Sequence, residues 1–302
     1  MKIFFSDLDN TLIYSYKHDI GKEKQCVETY QGREVSFMAG SSYHLLRQVV
    51  KRVLFVPVTT RTMEQYARVD LGIGTPEYAL VCNGGVLLRD GARDLAWEEG
   101  SGRLVADCQE ELFLAAKILD RDPKVDFEIR NIEGLFLFTK SQDPRRTAQN
   151  LKDALDGSKM DVFTNGVKVY AMPKVLTKGA AVRRFCNMMK ESGKLPGTQS
   201  FPAVIAAGDS AFDIPMLLEA DLGLAPSGLE EEIGIAVNRP GGSGRLPYSS
   251  GQAGIAWDLA LPKGKRICCL GQERLFSEEA LRLVERLLDR EQELFHTNNK
   301  NG

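Results

Sequence analysis

Residues 3–11 read Ile-Phe-Phe-Ser-Asp-Leu-Asp-Asn-Thr, an apolar run broken at once by a polar cluster holding two acids. A run without polar alternation needs cover on both faces, so residues 3–5 are predicted to form a short buried strand. The pattern recurs. Residues 53–58, VLFVPV, run into Thr59-Thr60-Arg61-Thr62, and residues 203–207 run into Gly208-Asp209-Ser210. Helical stretches alternate with these strands, at 41–52 with Ser41 or Ser42 as its cap, at 63–71 and at 178–190. Strand, helix, strand in that order favours a parallel sheet with crossover helices. Ligands bind such sheets at the carboxyl ends of the strands, where each of these polar clusters sits.

Outward from these strands, residues 27–30 and 34–37 alternate about Gln31-Gly32-Arg33 and predict a hairpin within a long 15–42 segment. That segment is either a flap packed at the domain edge, the preferred reading, or a second gate over the site. Residues 78–82 read as a third strand, with 86–88 as its hairpin partner across Asn83-Gly84-Gly85. From about 90 to 172 the character changes. Helical stretches at 109–119 and 144–155 mix with strand-like runs at 125–129, 135–138, 161–164 and 168–172, as in an inserted α+β module. Beyond it, 214–220 reads as helix, 222–225 and 235–237 as strands, 239–250 as loop and 277–295 as an amphipathic helix. The tail from 296 is expected to fray.

The chain has 302 residues, 43% hydrophobic and 26% charged, which fits two globular domains or one large one and excludes a disordered or fibrous chain. Its 39 basic and 41 acidic residues create no global basic field, so a general nucleic-acid binder is not expected, although local basic patches stay open. No apolar stretch reaches the 18 residues of a membrane span, and the N-terminal run is too short for a signal peptide, so a cytoplasmic protein is expected. Six scattered cysteines lack zinc spacing and read as reduced, mostly buried thiols. His18, His44 and His296 show no motif spacing.

The chemistry gathers at Asp7 with Asp9, at Thr59, at Asp209 with Asp213, and at Lys178. Carboxylates sharing a small site repel unless a hard cation neutralises them, and an oxygen-only donor set suits Mg²⁺. A carboxylate can attack phosphorus, while a Thr hydroxyl and a Lys ammonium hold the phosphoryl oxygens. Each residue alone has a plainer reading. Asp caps helices and makes turns, Thr59 or Thr60 suits the cap of the 63–71 helix, and a single Lys opening a helix is usually a solvated charge. The ordered conjunction of four motifs is what carries the argument.

As a set they resemble the haloacid dehalogenase superfamily of Mg²⁺-dependent phosphatases. D-x-D-x-T stands as Asp7-Leu8-Asp9-Asn10-Thr11, the strand-then-Thr motif as VPVTTR, the Lys motif as LTKGAAV, and G-D-x-x-x-D as Gly208-Asp209-Ser210-Ala211-Phe212-Asp213. Asn83-Gly84-Gly85 and the large module after it resemble the Cof-like and sucrose-phosphate phosphatase-like branch, which has a type II cap. The resemblance implies a Rossmann-like parallel-sheet core over 1–85 and 173–302, interrupted by an α+β cap at 86–172. It implies Asp7 as nucleophile and metal ligand, Asp9 as general acid and base with its carbonyl on the metal, and Asp209 as metal ligand. Thr59 and Lys178 would hold the phosphoryl group, Asp213 would order the site from behind, and Asn83, Arg61 and Thr60 would contact substrate. Two positions depart from the pattern: Thr60 stands where the branch has Gly, and Phe212 where it commonly has Asn.

The implied function is Mg²⁺-dependent hydrolysis of a small phosphorylated metabolite, a sugar phosphate first, through an aspartyl-phosphate. Lys117, Arg130, Lys140, Arg145 and Lys168 of the cap are candidates to meet an anionic substrate, although most are expected to be surface charges. A phosphotransferase or mutase would need the same motifs. A receiver-like module would be a single smaller domain, and a phosphate-binding scaffold would keep only a weakened site.

Overall fold

The computed structural model describes residues 1–195, 202–237, 255–271 and 273–298. Its central sheet has six strands in the order Ile255–Ala260, Arg266–Leu270, Leu222–Pro226, Val204–Ala207, Ile3–Ser6 and Leu54–Pro57. All neighbours pair parallel except Ile255–Ala260, which runs antiparallel along the edge. Ile3–Ser6 is buried throughout because successive side chains enter opposite layers. Phe4 packs on Phe55 at 5.8 Å on one face, and Phe5 meets Phe185 edge-on at 5.6 Å on the other. The Phe4 layer is closed by Leu46 of the helix Gly40–Val49 and by Leu281 and Val284 of Phe276–Asn298. The Phe5 layer is closed by Val182 and Phe185 of Lys178–Glu191, with Leu217 of Ile214–Glu219 and Ile233 of Glu230–Val237. Burying each large apolar side chain contributes about 1.5–3 kcal/mol, so the two layers together fix the strand order.

A second, four-stranded antiparallel sheet has the order Met160–Asn165, Lys168–Pro173, Phe136–Lys140 and Arg130–Ile132. Helices Gln109–Asp120 and Pro144–Ala154 cover one of its faces through Leu112, Ala115 and Leu151. The other face carries Phe136, Phe138, Tyr170 and Met172. The chain is therefore an α/β fold with a parallel-dominated core sheet and an inserted α+β cap. Among the described residues, no helix is long and apolar enough to cross a membrane. The six cysteines are free thiols, four of them buried.

Several expectations shift. Neither Ser41 nor Ser42 caps the Gly40–Val49 helix; their hydroxyls instead reach Glu278 and Ser277 and tie that helix to Phe276–Asn298. The helix at 63–71 is a single turn, Met63–Tyr66, capped by Thr62 in a reciprocal bond with Gln65. It stops because the chain beyond it pairs with the hairpin, where Asp70 N–H donates to Val27 O. Tyr78–Val81 lies beside the core sheet through one parallel bridge, Val58 to Leu80, and otherwise pairs with Val86–Arg89. In 125–129 only Val125 bridges, while the Thr139 hydroxyl takes the Phe127 carbonyl, so the strand begins later at Arg130. Residues 235–237 are helical, in Glu230–Val237, whose three glutamates suit the positive end of the helix dipole. The expected loop at 239–250 lies outside the described residues.

Candidate active site

The first loop takes its position from the central strand. Asp7 N–H donates to Ala207 O at 2.9 Å, continuing the ladder one step beyond Ile3–Ser6. Thr11 then ties this loop to the loop after Val204–Ala207, its hydroxyl donating to Asp209 Oδ1 at 2.9 Å. Two loops from adjacent strands thus hold Asp7 and Asp209 side by side. Carboxylate oxygens of Asp7, Asp209 and Asp213 all lie within 4.8 Å of one another, a buried or half-buried triad able to hold a metal.

Lys178 opens a helix whose cap, Thr177, accepts a hydrogen bond from Ala180 N–H. An ammonium at the positive end of a helix dipole is unfavourable unless anions compensate it. Here two do, because Lys178 Nζ lies 2.8 Å from Asp7 Oδ1 and 2.6 Å from Asp213 Oδ1. Asp213 Oδ2 accepts from Asp209 N–H, Ser210 N–H and Ser210 Oγ at 3.2, 3.1 and 2.8 Å. Both oxygens of its carboxylate are therefore engaged, Oδ1 by Lys178 and Oδ2 by Asp209 and Ser210. Gly208 permits this closeness: a Cβ there would fall 2.2 Å from Asp213 Cβ. Asp7 meets Lys178 through Oδ1, and Asp209 meets the Thr11 hydroxyl through Oδ1.

The electrostatics follow from crowding. Burial, with repulsion from Asp213 and Asp209, lifts Asp7 well above the usual carboxylate range although Lys178 pulls it back. Burial and then Asp213 push Asp209 up to about 6. Burial works against the charge on Lys178, but Asp213 and Asp7 outweigh it and hold the ammonium protonated. Neutralising the remaining acidic charge is work for a cation, and the oxygen-only donor set fits a hard one.

The second motif supplies Thr59 and Arg61. Thr59 is fully buried, its N–H on Leu80 O, and its Oγ1 accepts from Arg61 N–H at 3.1 Å, which leaves the hydroxyl proton for another acceptor. Thr60 is half-buried and adjoins it. Arg61 grips Asp9 with two parallel bonds of 2.8 and 2.7 Å. Asn83 is buried, donates to Leu176 O at 2.8 Å, and takes a left-handed backbone at φ 57°. It therefore fastens the turn after Tyr78–Val81 to the approach of the Lys178 helix, with its Oδ1 lacking a partner among the described residues.

Glu28 is a part of the site that the sequence does not announce. Glu28 comes from the hairpin Lys24–Tyr30 and Arg33–Ala39, and is buried. It takes Arg61 Nη1 at 3.0 Å, Arg68 at 3.1 Å and the Ser36 hydroxyl at 2.6 Å. The long 15–42 segment thus supports Arg61, and through it Asp9. Only its unusual length marked it in the sequence.

No protein-family model matches the sequence, and no curated protein matches it either. Solved structures do. The sucrose-phosphatase of Synechocystis, crystallised with sucrose and phosphate, aligns at TM-score 0.51 and 18% identity over 80% of this chain and 89% of that one. A Thermoplasma acidophilum protein, 0175, aligns at TM-score 0.50 and 11% identity over 95% and 98% of the two chains. A haloacid dehalogenase subclass IIB sugar phosphatase aligns at TM-score 0.48 and 12% identity over 79% and 92%. With its parallel-dominated core sheet and inserted cap, the chain shares the fold of the sucrose-phosphatase of Synechocystis and of the Thermoplasma acidophilum protein 0175.

Proposed function

We propose that the chain is a Mg²⁺-dependent phosphomonoester phosphatase acting through a phosphorylated Asp7, with a core formed by 1–85 and 173–302 and a cap by 86–172. The observation that carries this reading is the Lys178 ammonium between Asp7 and Asp213, with Asp209 completing a triad of carboxylates whose oxygens lie within 4.8 Å of one another. Asp7, Asp209 and the Asp9 carbonyl would hold the metal. When bound, Mg²⁺ supplies positive charge that offsets repulsion between the carboxylates and an incoming phosphoryl group.

In the first step an Asp7 carboxylate oxygen attacks phosphorus, the ester P–O bond breaks, and Asp9 gives its proton to the departing alcohol. In the second, Asp9 takes a proton from water as the water attacks phosphorus, which releases phosphate and restores Asp7. Thr59 donates its free hydroxyl proton, and Lys178 its ammonium protons, to the phosphoryl oxygens as charge builds. Arg61 aims Asp9, and an arriving phosphate competes for that guanidinium and loosens Asp9 to exchange protons. Phe212 packs edge-on against Phe163 of the cap at 4.1 Å, so the position that departs from the family pattern joins the fourth loop to the cap.

The substrate is a small phosphorylated metabolite. A sugar phosphate comes first, supported by the likeness to a sucrose-phosphatase. The test is phosphate release from an aryl phosphate with and without Mg²⁺, comparing the parent with Asp7→Asn. Turnover that requires Mg²⁺ and vanishes in the variant supports the reading; Mg²⁺-independent turnover that survives Asp7→Asn overturns it.

A further inference from the structure

The open face of the cap sheet holds a charge arrangement that phosphoryl transfer does not use. Strand register sets Lys140 directly opposite Lys168, two residues along from the Phe138–Tyr170 pair and so on the same face. Four rings follow one another across this face, Phe127, Phe138, Tyr170 and Phe163, at centroid spacings of 6.5, 5.7 and 5.0 Å. The row ends on Phe212, from the loop that carries Asp209 and Asp213. The lysine-bearing face therefore looks onto the acidic pocket, while Leu137, Val169 and Ala171 fill the opposite face against the cap helices.

Like charges directly opposite on one face of a sheet repel. Neither Lys140 nor Lys168 has an ion-pair partner among the described residues. Arg130, by contrast, pairs with Glu128. Lys140 lies over the Phe127 ring at 4.1 Å and Lys168 over Phe138 at 6.0 Å, so both cations rest on the aromatic row. The surroundings bear on Lys168 in the same sense. Its crowded setting, then Lys140 and Arg61, hold the ammonium below the usual lysine range, and Asp9 alone pulls the other way, although part of the side chain is open to solvent. Asp9 also bears on Tyr170. Lys168 and Tyr170 thus lie within electrostatic reach of Asp9, and Lys168 also of Lys140 and Arg61, on the side where Asp9 would meet the leaving group. Lys117 does not belong to this group, since it sits over exposed Phe113 on a cap helix.

We infer that the substrate's leaving group carries a second anionic group, a carboxylate or a phosphate, held between Lys140 and Lys168. This rests on the phosphatase reading for the identity of the first group, but its test does not depend on turnover. The probes are alkylphosphonates paired with their ω-carboxy counterparts and with the matching bisphosphonates, over chains of two to four carbons. Affinities are measured by calorimetry in Mg²⁺ for the parent, Lys140→Gln and Lys168→Gln, with thermal melts showing that the variants fold.

The expected result is at least tenfold tighter binding of one doubly anionic series by the parent, whichever series that is. The preference should fall toward one in either variant and shrink as salt is raised. Equal affinity for singly and doubly anionic probes in the parent overturns the inference. So does a lysine variant that weakens all probes alike, because the lysines would then hold the transferring phosphoryl itself. If no phosphomonoester is hydrolysed yet the preference is present and lysine-dependent, the phosphatase reading fails and the anion subsite stands.

Discussion

Replacing Lys178 by Met removes the one cation buried between Asp7 and Asp213, at 2.8 and 2.6 Å from their oxygens. Taking one partner from a buried ion pair destabilises a protein by about 3–5 kcal/mol, because the charge left behind has neither water nor a counter-ion. Asp213 retains three donors from Asp209 and Ser210, so the penalty falls chiefly on Asp7. That places the loss near the lower end, at about 3 kcal/mol in metal-free buffer at neutral pH. Urea unfolding measures it. Asp7 already holds its proton more tightly than a free carboxyl, mainly through burial, and losing Lys178 raises that pKa further. A raised acid contributes stability that is full below its unfolded pKa and is lost as pH rises through its folded one, so the gap between variant and parent should narrow as pH falls. Adding Asp7→Asn to Lys178→Met should recover part of the loss, a coupling that a double-mutant cycle isolates. A loss under about 1 kcal/mol, constant with pH and unaffected by Asp7→Asn, would refute the assignment of Lys178 as the counter-ion of the site.

Other outcomes follow from the same geometry. Glu28→Gln leaves Arg61 and Arg68 short of a countercharge, so stability should fall by about 1–3 kcal/mol in denaturant titrations and kcat/KM by about tenfold; unchanged kinetics would separate the hairpin from Asp9. Gly208→Ala would drive a methyl into Asp213, so turnover and divalent-cation binding should be lost while circular dichroism stays native; full activity would show that Asp213 need not hold its place. Asp209, pushed up to about 6 by burial and then Asp213, should bind protons in competition with the metal. Metal affinity should therefore weaken as pH falls through about 6, and the acid limb of activity should move lower as Mg²⁺ is raised; a limb indifferent to Mg²⁺ would contradict this. The metal-free protein should lose stability as pH rises from about 4 through 6, since the raised acid favours the folded state only while protonated.

What the sequence disclosed was what is local. A strand end followed by Asp-x-Asp, Thr or Gly-Asp places its polar residues within a few positions of a buried apolar run, and Ile3–Ser6, Leu54–Pro57 and Val204–Ala207 occupy adjacent places in one sheet. What it concealed depends on distant partners. The Arg61–Asp9 pair spans 52 positions, and nothing in the order of residues directs Glu28 toward Arg61. The helix Leu95–Val105 was unread because Gly100 and Gly102 argue against it. It forms because Asp94 caps it and because Arg184 stacks 3.9 Å over Trp97, in space that a side chain at Gly100 would invade. The edge strand Ile255–Ala260 and its neighbour Arg266–Leu270 do not stand out in the sequence either, since their pairing rather than their local pattern defines them.

The central claim is that phosphoryl transfer passes through Asp7. Mixing the protein with a turned-over phosphomonoester and Mg²⁺, quenching with borohydride and mapping peptides by mass spectrometry tests it directly, because reduction converts an aspartyl-phosphate to homoserine. Homoserine at position 7, absent without Mg²⁺ and absent in Asp7→Asn, is the predicted result. Sustained phosphate release with no trapped product at Asp7, or trapping at another carboxylate, would contradict it.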